Sequence, residues 1–170
     1  MRKRLTGPPD TYLRPRIPPP PGRWIVCGYG RFGSHVVAAI RHGGFEVTII
    51  DPEGSERADA EVAGVRYVRG LGTDSGALRE AGITTAPGLV AGTDNDTANL
   101  AIVIAARQLN PDLFIIARQN LVSNRTLFEA LAADMTMVAS GHAVPMALAQ
   151  ACRAMMLTRH RSNSPSFPHN

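Results

Sequence analysis

Trp24-Ile25-Val26-Cys27-Gly28-Tyr29-Gly30-Arg31-Phe32-Gly33 decides how this chain folds. A short apolar run, bounded by glycine, reads as a buried strand. Past the turn, Arg31–His42 carries Phe32, Val36, Val37 and Ile40 at helical spacing until Gly43-Gly44 ends the pattern. Between strand and helix stands a Gly-x-Gly-x-x-Gly turn. Gly28 permits the tight turn, Gly30 lets the backbone approach a pyrophosphate, and Gly33 allows the helix to pack closely on the strand. The amino end of such a helix offers unpaired N–H groups and a partial positive charge, which suit phosphate. Tyr29 and Phe32 complete the turn, and the guanidinium of Arg31 inside it can fork onto phosphate oxygens.

Downstream, Phe45–Ile50 is rich in β-formers and stops at Asp51-Pro52, with Asp51 lying 18 residues after Gly33. A carboxylate at the end of the second strand accepts hydrogen bonds from an adenosine ribose and disfavours a 2′-phosphate. The expected ligand is therefore NAD(H) or an adenine nucleotide rather than NADP(H).

The rest of the chain repeats the alternation. Helices are expected over Glu53–Ala63, Asp74–Ala81, Asp94–Leu109, Leu121–Ala132 and His142–Met156. Strands are expected over Val65–Val68, Gly88–Ala91, Leu113–Ala117 and Met135–Val138. Thr93, Asp94 and Asp96 read as the amino-terminal cap of their helix. Six strands interleaved with helices predict an α/β, Rossmann-like, doubly wound parallel sheet in the order 3-2-1-4-5-6, with a crossover helix at the C-terminal end. Ligands bind such sheets beyond the carboxyl ends of the strands. That places Gly28, Asp51, Gly70 and Ala91 around one site.

Composition narrows the class. The 170 residues are 44% hydrophobic and 19% charged, as expected of a globular chain. No apolar run reaches the roughly 18 residues of a membrane span. Neither does the N-terminus show the apolar core of a signal peptide. The net charge of +4 is carried by the ends: Arg2, Lys3, Arg4, Arg14, Arg16 and Arg23 stand against Asp10 alone, and Arg153, Arg159 and Arg161 face no acid. The segment between is net acidic, which argues against nucleic acid as a partner. Cys27 and Cys152 lie in apolar segments without metal-ligand spacing, and read as buried thiols in a reducing cytoplasm. Residues 1–23, rich in proline, read as a basic linker or arm. The expected domain is 24–140, followed by a crossover and dimerisation helix over 141–157 and a polar, disordered tail over 158–170. Within that helix Val144, Leu148, Cys152 and Met155 form an apolar stripe that predicts a homodimer.

A dehydrogenase would need an acid or base beside the nicotinamide. His35 and His42 fall on the first helix, His160 and His169 in the tail, and only His142 follows a strand end. Each reads as structural or exposed rather than catalytic. No metal cluster, paired-carboxylate site or Ser-His-Asp set stands out, so a binding role is expected. An NAD-dependent oxidoreductase cofactor domain is the alternative.

The motifs GYGRFG, VTIIDPE, GVRYVRGLGTDSGALREAGI, TDNDTANLAIVIAARQLNP and IIARQN, in this order from Trp24 to Ser140, resemble the RCK domain, also called KTN or TrkA-N. The resemblance implies a cytoplasmic, nucleotide-sensing regulator of a potassium channel or transporter, working at the inner face of the membrane. It implies a homodimer, often within an octameric gating ring, and NAD(H), ATP, ADP or AMP as ligand. Gly28, Gly30, Arg31 and Gly33 match the family's phosphate-binding positions, and Asp51 its ribose-binding acid. Thr93, Asp94 and Arg118 match positions after the fourth and fifth strands. Gly70-Leu71 matches a pair that is usually Gly-Asp and lies near the adenine, and a leucine there accepts no hydrogen bond from the base. Two organisations fit the chain: a fragment of a channel, or a freestanding regulatory subunit.

Overall fold

The computed structural model of the chain describes residues 11–13, 22–53, 65–131 and 133–138. Strand β1 (Thr11–Leu13) is followed by β2 (Arg23–Cys27), α1 (Arg31–His42), β3 (Glu46–Asp51) and β4 (Val65–Arg69). Then come α2 (Ser75–Glu80), β5 (Gly88–Ala91), α3 (Asp96–Leu109), β6 (Phe114–Gln119), α4 (Arg125–Ala130) and β7 (Met135–Val138). The helices expected over Glu53–Ala63 and His142–Met156 fall almost wholly on residues outside those described.

One sheet runs β1-β7-β6-β5-β2-β3-β4. From β2 onward the pairings are parallel, and the six anticipated strands stand in the 3-2-1-4-5-6 order of a Rossmann-like sheet. The central strand explains the topology. Side chains alternate across a strand, and every residue of Trp24–Cys27 is buried. Trp24 and Val26 join Val36, Val37 and Ile40 of α1 on one face. Ile25 and Cys27 join Leu78 of α2, Ile102 of α3 and Phe128 of α4 on the other. A strand apolar on both faces needs helices on both sides, which is why the chain winds both ways. Trp24 meets the rings of Phe45 and Phe114 edge-on, at centroid distances of 6.2 and 6.0 Å. Truncating it to alanine is expected to cost about 4 kcal/mol.

Two features differ from the sequence expectation. Thr11–Leu13, inside the expected arm, forms an antiparallel edge strand on β7, with Thr11 opposite Met137 and Leu13 opposite Met135. It covers an edge that would otherwise present unpaired backbone groups. The helix expected from Leu121 starts at Arg125, after a short 3-10 turn over Val122–Asn124. The cause is Asp96. Its carboxylate accepts the backbone N–H of Asn120 at 2.6 Å and of Leu121 at 3.0 Å, holding that stretch as a loop. At the opposite end of α3 and β6, Asp134 fixes the start of β7: its carboxylate accepts the Ile115 N–H at 2.8 Å and pairs with Arg107 at 2.8 Å.

Candidate functional site

The carboxyl ends of β2, β3, β4, β5 and β6 open on one cleft of about 1010 Å³. It lies where the strand order reverses between β2 and β5, the position at which open α/β sheets take ligands. Gly28 to Phe32 form one wall, with Asp51 and Pro52 beside them; Gly70 and Leu71 lie at one end, and Thr93, Asp94 and Arg118 across from the turn. Two candidates do not line the cleft: Ala91, whose place at the end of β5 is taken by Gly92, and Gly33. Gly33 is buried at the foot of α1, where a Cβ would stand 2.0 Å from the carbonyl oxygen of Gly28. Its role is to let the helix sit down on the turn.

The turn is held from both sides. Gly28 has φ +92°, and a Cβ there would press within 3.3 Å of the Thr93 backbone, so glycine is required twice over. The Gly28 N–H donates to the carbonyl of Ile50 at 2.9 Å. The next N–H, of Tyr29, donates to Asp51 Oδ2 at 2.7 Å, and Oδ1 of the same carboxylate accepts the Glu53 N–H at 2.9 Å. Asp51 is thus positioned by the backbone around it. Each carboxylate oxygen keeps a further lone pair for a ligand hydroxyl.

Gly30 is different. It precedes the first turn of α1 with φ −74°, an ordinary value, and a Cβ on it would meet nothing within 4 Å. No side chain caps α1, and no acid stands in its first turn. The other two helices of the cleft side are closed by their own residues. Asp74 caps α2 by accepting the N–H groups of Gly76 and Ala77, and Asn95 caps α3 by accepting that of Ala98 at 2.9 Å. The cap of α3 is therefore Asn95 rather than the expected Thr93, Asp94 and Asp96, of which Asp96 stands in the first turn.

Across the cleft, the guanidinium of Arg118 lies over the Phe32 ring, 5.0 Å from its centroid. A Cβ at Gly92 would stand 3.1 Å from the same ring, so Phe32 is wedged between the end of β5 and the arginine. This contact ties the start of α1 to the far half of the sheet. Burial pulls Arg118 below the ordinary arginine range, while Asp94 and Asp96 act in the opposite sense. Its Nε is buried and has no hydrogen-bond partner among the described residues. Leu71, 57% exposed, presents an apolar side chain at the end of the cleft.

Two residues that the sequence reading missed, or placed in another role, support this wall. Asn99, fully buried, accepts the Thr93 N–H at 2.9 Å and hydroxyl at 2.7 Å, and donates to the carbonyls of Thr93 and Arg118 at 2.9 Å each. Asp96 accepts, besides the two N–H groups named above, the side-chain amides of Asn120 at 2.9 Å and Asn124 at 2.8 Å. Burial on its own would raise the Asp96 carboxyl. The donors from Asn120, Asn124 and Leu121 outweigh that and hold it below the ordinary carboxylate range. The partners of Asp96 lie 24 to 28 residues away, beyond any local signal, whereas those of Asn99 are Thr93, six residues earlier, and the Arg118 carbonyl. His142, the enzyme alternative's candidate, lies outside the described residues.

Among the described residues no helix is long and apolar enough to cross a membrane. Comparison with known proteins places the chain. It is 30% identical over 97 residues to potassium channel protein 1 of Methanocaldococcus jannaschii, covering 56% of this chain and 29% of that protein. It is 34% identical over 87 residues to the Trk system potassium uptake protein TrkA of Streptomyces coelicolor, covering 50% and 39%. The chain spans less than half the length of these curated relatives. A crystal structure of GsuK bound to ADP superimposes with a TM-score of 0.62 at 25% identity, over 81% of this chain and 34% of that one. The TrkA-N domain model matches residues 24–139, and the chain belongs to that family.

Proposed function

We propose that this chain is the nucleotide-sensing regulatory domain of a potassium channel or K⁺ uptake system, binding NAD(H) or an adenine nucleotide and controlling conductance without being an enzyme. The observation that carries the reading is Gly30. Neither φ nor packing requires glycine there, and the uncapped N–H groups of α1 open on the cleft beside it. A site kept clear of the protein's own atoms suits a pyrophosphate or phosphate at the helix end. Asp51 then takes the ribose hydroxyls, Arg31 the phosphate oxygens, and Pro52, Gly70 and Leu71 the side of the base. Thr93, Asp94 and Arg118 close the opposite wall.

The family membership and the potassium-handling relatives support the regulatory part, as does the ADP-bound neighbour for the ligand. The partner is the membrane subunit or domain of the channel or transporter, and the working form is a cytoplasmic homodimer or a gating ring at the inner membrane face. Nucleotide regulates such an assembly only if it binds two conformations with different affinity. Calorimetric titration with NAD⁺, NADH, ATP, ADP and AMP is expected to show binding by at least one. A folded sample that binds none of them overturns the proposal. Light scattering that reports only monomer across the micromolar range removes the dimer.

A further inference from the structure

We infer that the base end of the cleft does not read the polar edge of the purine, so that the protein takes hypoxanthine nucleotides as readily as adenine ones; this rests on the nucleotide reading above. The glycine turn after β2, Asp51 at the end of β3 and Leu71 just past β4 stand on three adjacent strands, with about 4.8 Å between neighbours. With phosphate at the open end of α1 and ribose at Asp51, the base continues one strand further, away from β2. Asp51 pairs in register with Arg69, and the Gly70 N–H donates to the Asp51 carbonyl at 3.2 Å. Pro52 and Leu71 therefore leave adjacent strands side by side, and both line the cleft.

The outward direction of Leu71 is imposed by its neighbours. A Cβ on Gly70 would stand 2.9 Å from the Cβ of Ala77, and one on Gly72 2.7 Å from the Sγ of Cys27. Both glycines are pressed onto α2 and the central strand, and the leucine between them is turned out, 57% exposed. Its carbonyl accepts the Asp74 N–H at 2.9 Å, and the Asp74 carboxylate is engaged in capping α2. Glu53, which also lines the cleft, has an interaction of its own. Among the described residues the side chains left to face the base are Leu71, with no polar atom, and Thr73, whose hydroxyl donates or accepts by rotating. Adenine presents an amino donor and an unprotonated ring nitrogen along that edge; hypoxanthine presents a carbonyl acceptor and a ring N–H. Leucine favours neither, and a hydroxyl or water serves both. A site rejects the wrong analogue strongly only when it must leave a buried polar group unpaired, whereas apolar contact with Pro52 and Leu71 holds the ring whatever its edge.

Two matched pairs test this by calorimetry on the full chain: NAD⁺ against nicotinamide hypoxanthine dinucleotide, and ADP against inosine diphosphate. Within each pair that binds, the wild-type affinities are expected to agree to about threefold. Leu71→Ala removes apolar contact and should weaken both members equally, by about fivefold. Leu71→Asp places an acceptor of fixed polarity at the base edge and should separate the two members by about tenfold. Both substitutions fall on an exposed side chain, so the fold is retained. A wild-type preference for adenine beyond threefold overturns the inference and leaves nucleotide binding intact. Members that stay equal in Leu71→Asp show that the base does not reach position 71, and overturn it as well. A folded sample that binds none of the four overturns both this inference and the nucleotide reading.

Discussion

The amino ends of α1 and α3 flank the point where the sheet reverses, and they are built in opposite ways. At α3 the protein uses everything the helix end offers. Asn95 caps it, and Asp96, in its first turn, is 7% exposed and accepts four donors from the loop that follows β6. At α1 nothing of the kind is present: no cap, no acid, and a glycine with open space where a side chain would be. Helix ends attract negative charge by the same physics in both places. One end is filled by the protein's own carboxylate and contributes to stability. The other is left empty, and its contribution is realised only when an anion arrives.

The contrast breaks most visibly at Asp96. Asp96→Ala strands the N–H groups of Asn120 and Leu121 and two amides, and is expected to destabilise the fold by about 3 kcal/mol at pH 7, with nucleotide affinity changed less than threefold. Urea denaturation and calorimetry measure the two effects. The loss also depends on pH. The carboxyl is held below its ordinary range in the folded state, so its contribution is present above the ordinary carboxylate value and fades as pH falls through the lower folded value. Wild type and Asp96→Ala should therefore converge in stability in acid, below about pH 4.

Gly30→Asp is the mirror image. An aspartate at that position caps α1 and complements its dipole, so stability should rise by about 0.5 kcal/mol. The same carboxylate occupies and repels the phosphate site. Nucleotide affinity should fall about a hundredfold, or about 2.8 kcal/mol. A variant that binds as well as wild type would show that α1 is not the phosphate end of the cleft.

The two helix ends also differ in how far they could be read from sequence. At α1 the constraints are local: glycines at fixed spacing, a strand before, a helix after, and an acid at the end of the next strand. Each is a statement about neighbouring residues, and the structure places Gly28, Gly30 and Asp51 together as expected. At α3 the sequence Thr93-Asp94-Asn95-Asp96 contains several good capping residues, and short polar side chains compete for such backbone groups. The one that caps, Asn95, does so on the local Ala98 N–H, while the role of Asp96 depends on partners 24 to 28 residues away, Asn120 and Asn124, that only the β5–β6 pairing brings within reach. The late start of α4 has the same origin. Strand β1 was illegible for another reason. Thr11–Leu13 is too short for any period to show, set between Pro9 and Pro15, and its pairing partner is at the other end of the chain. His35 was legible as a residue of the first helix, but nothing in the sequence said that its ring lines the cleft.

The smallest effect gives the sharpest test of the division of labour. Asn95 and Gly30 occupy the same place on their helices, yet only Asn95 satisfies a backbone donor, the Ala98 N–H. Asn95→Ala should cost about 1 kcal/mol, the usual price of losing a helix cap, and Gly30→Asn should gain a few tenths. If the two ends were equivalent, both changes would alter stability alone. Because the α1 end serves the cleft, Gly30→Asn should weaken nucleotide binding even as it raises the melting temperature. Asn95→Ala should lower the melting temperature and leave binding as it is, since Thr93 is held by Asn99 and by the backbone of Asn95, which alanine retains, and not by the Asn95 side chain. Paired thermal melts and titrations on these two variants separate a helix end that holds the fold from one that holds a ligand.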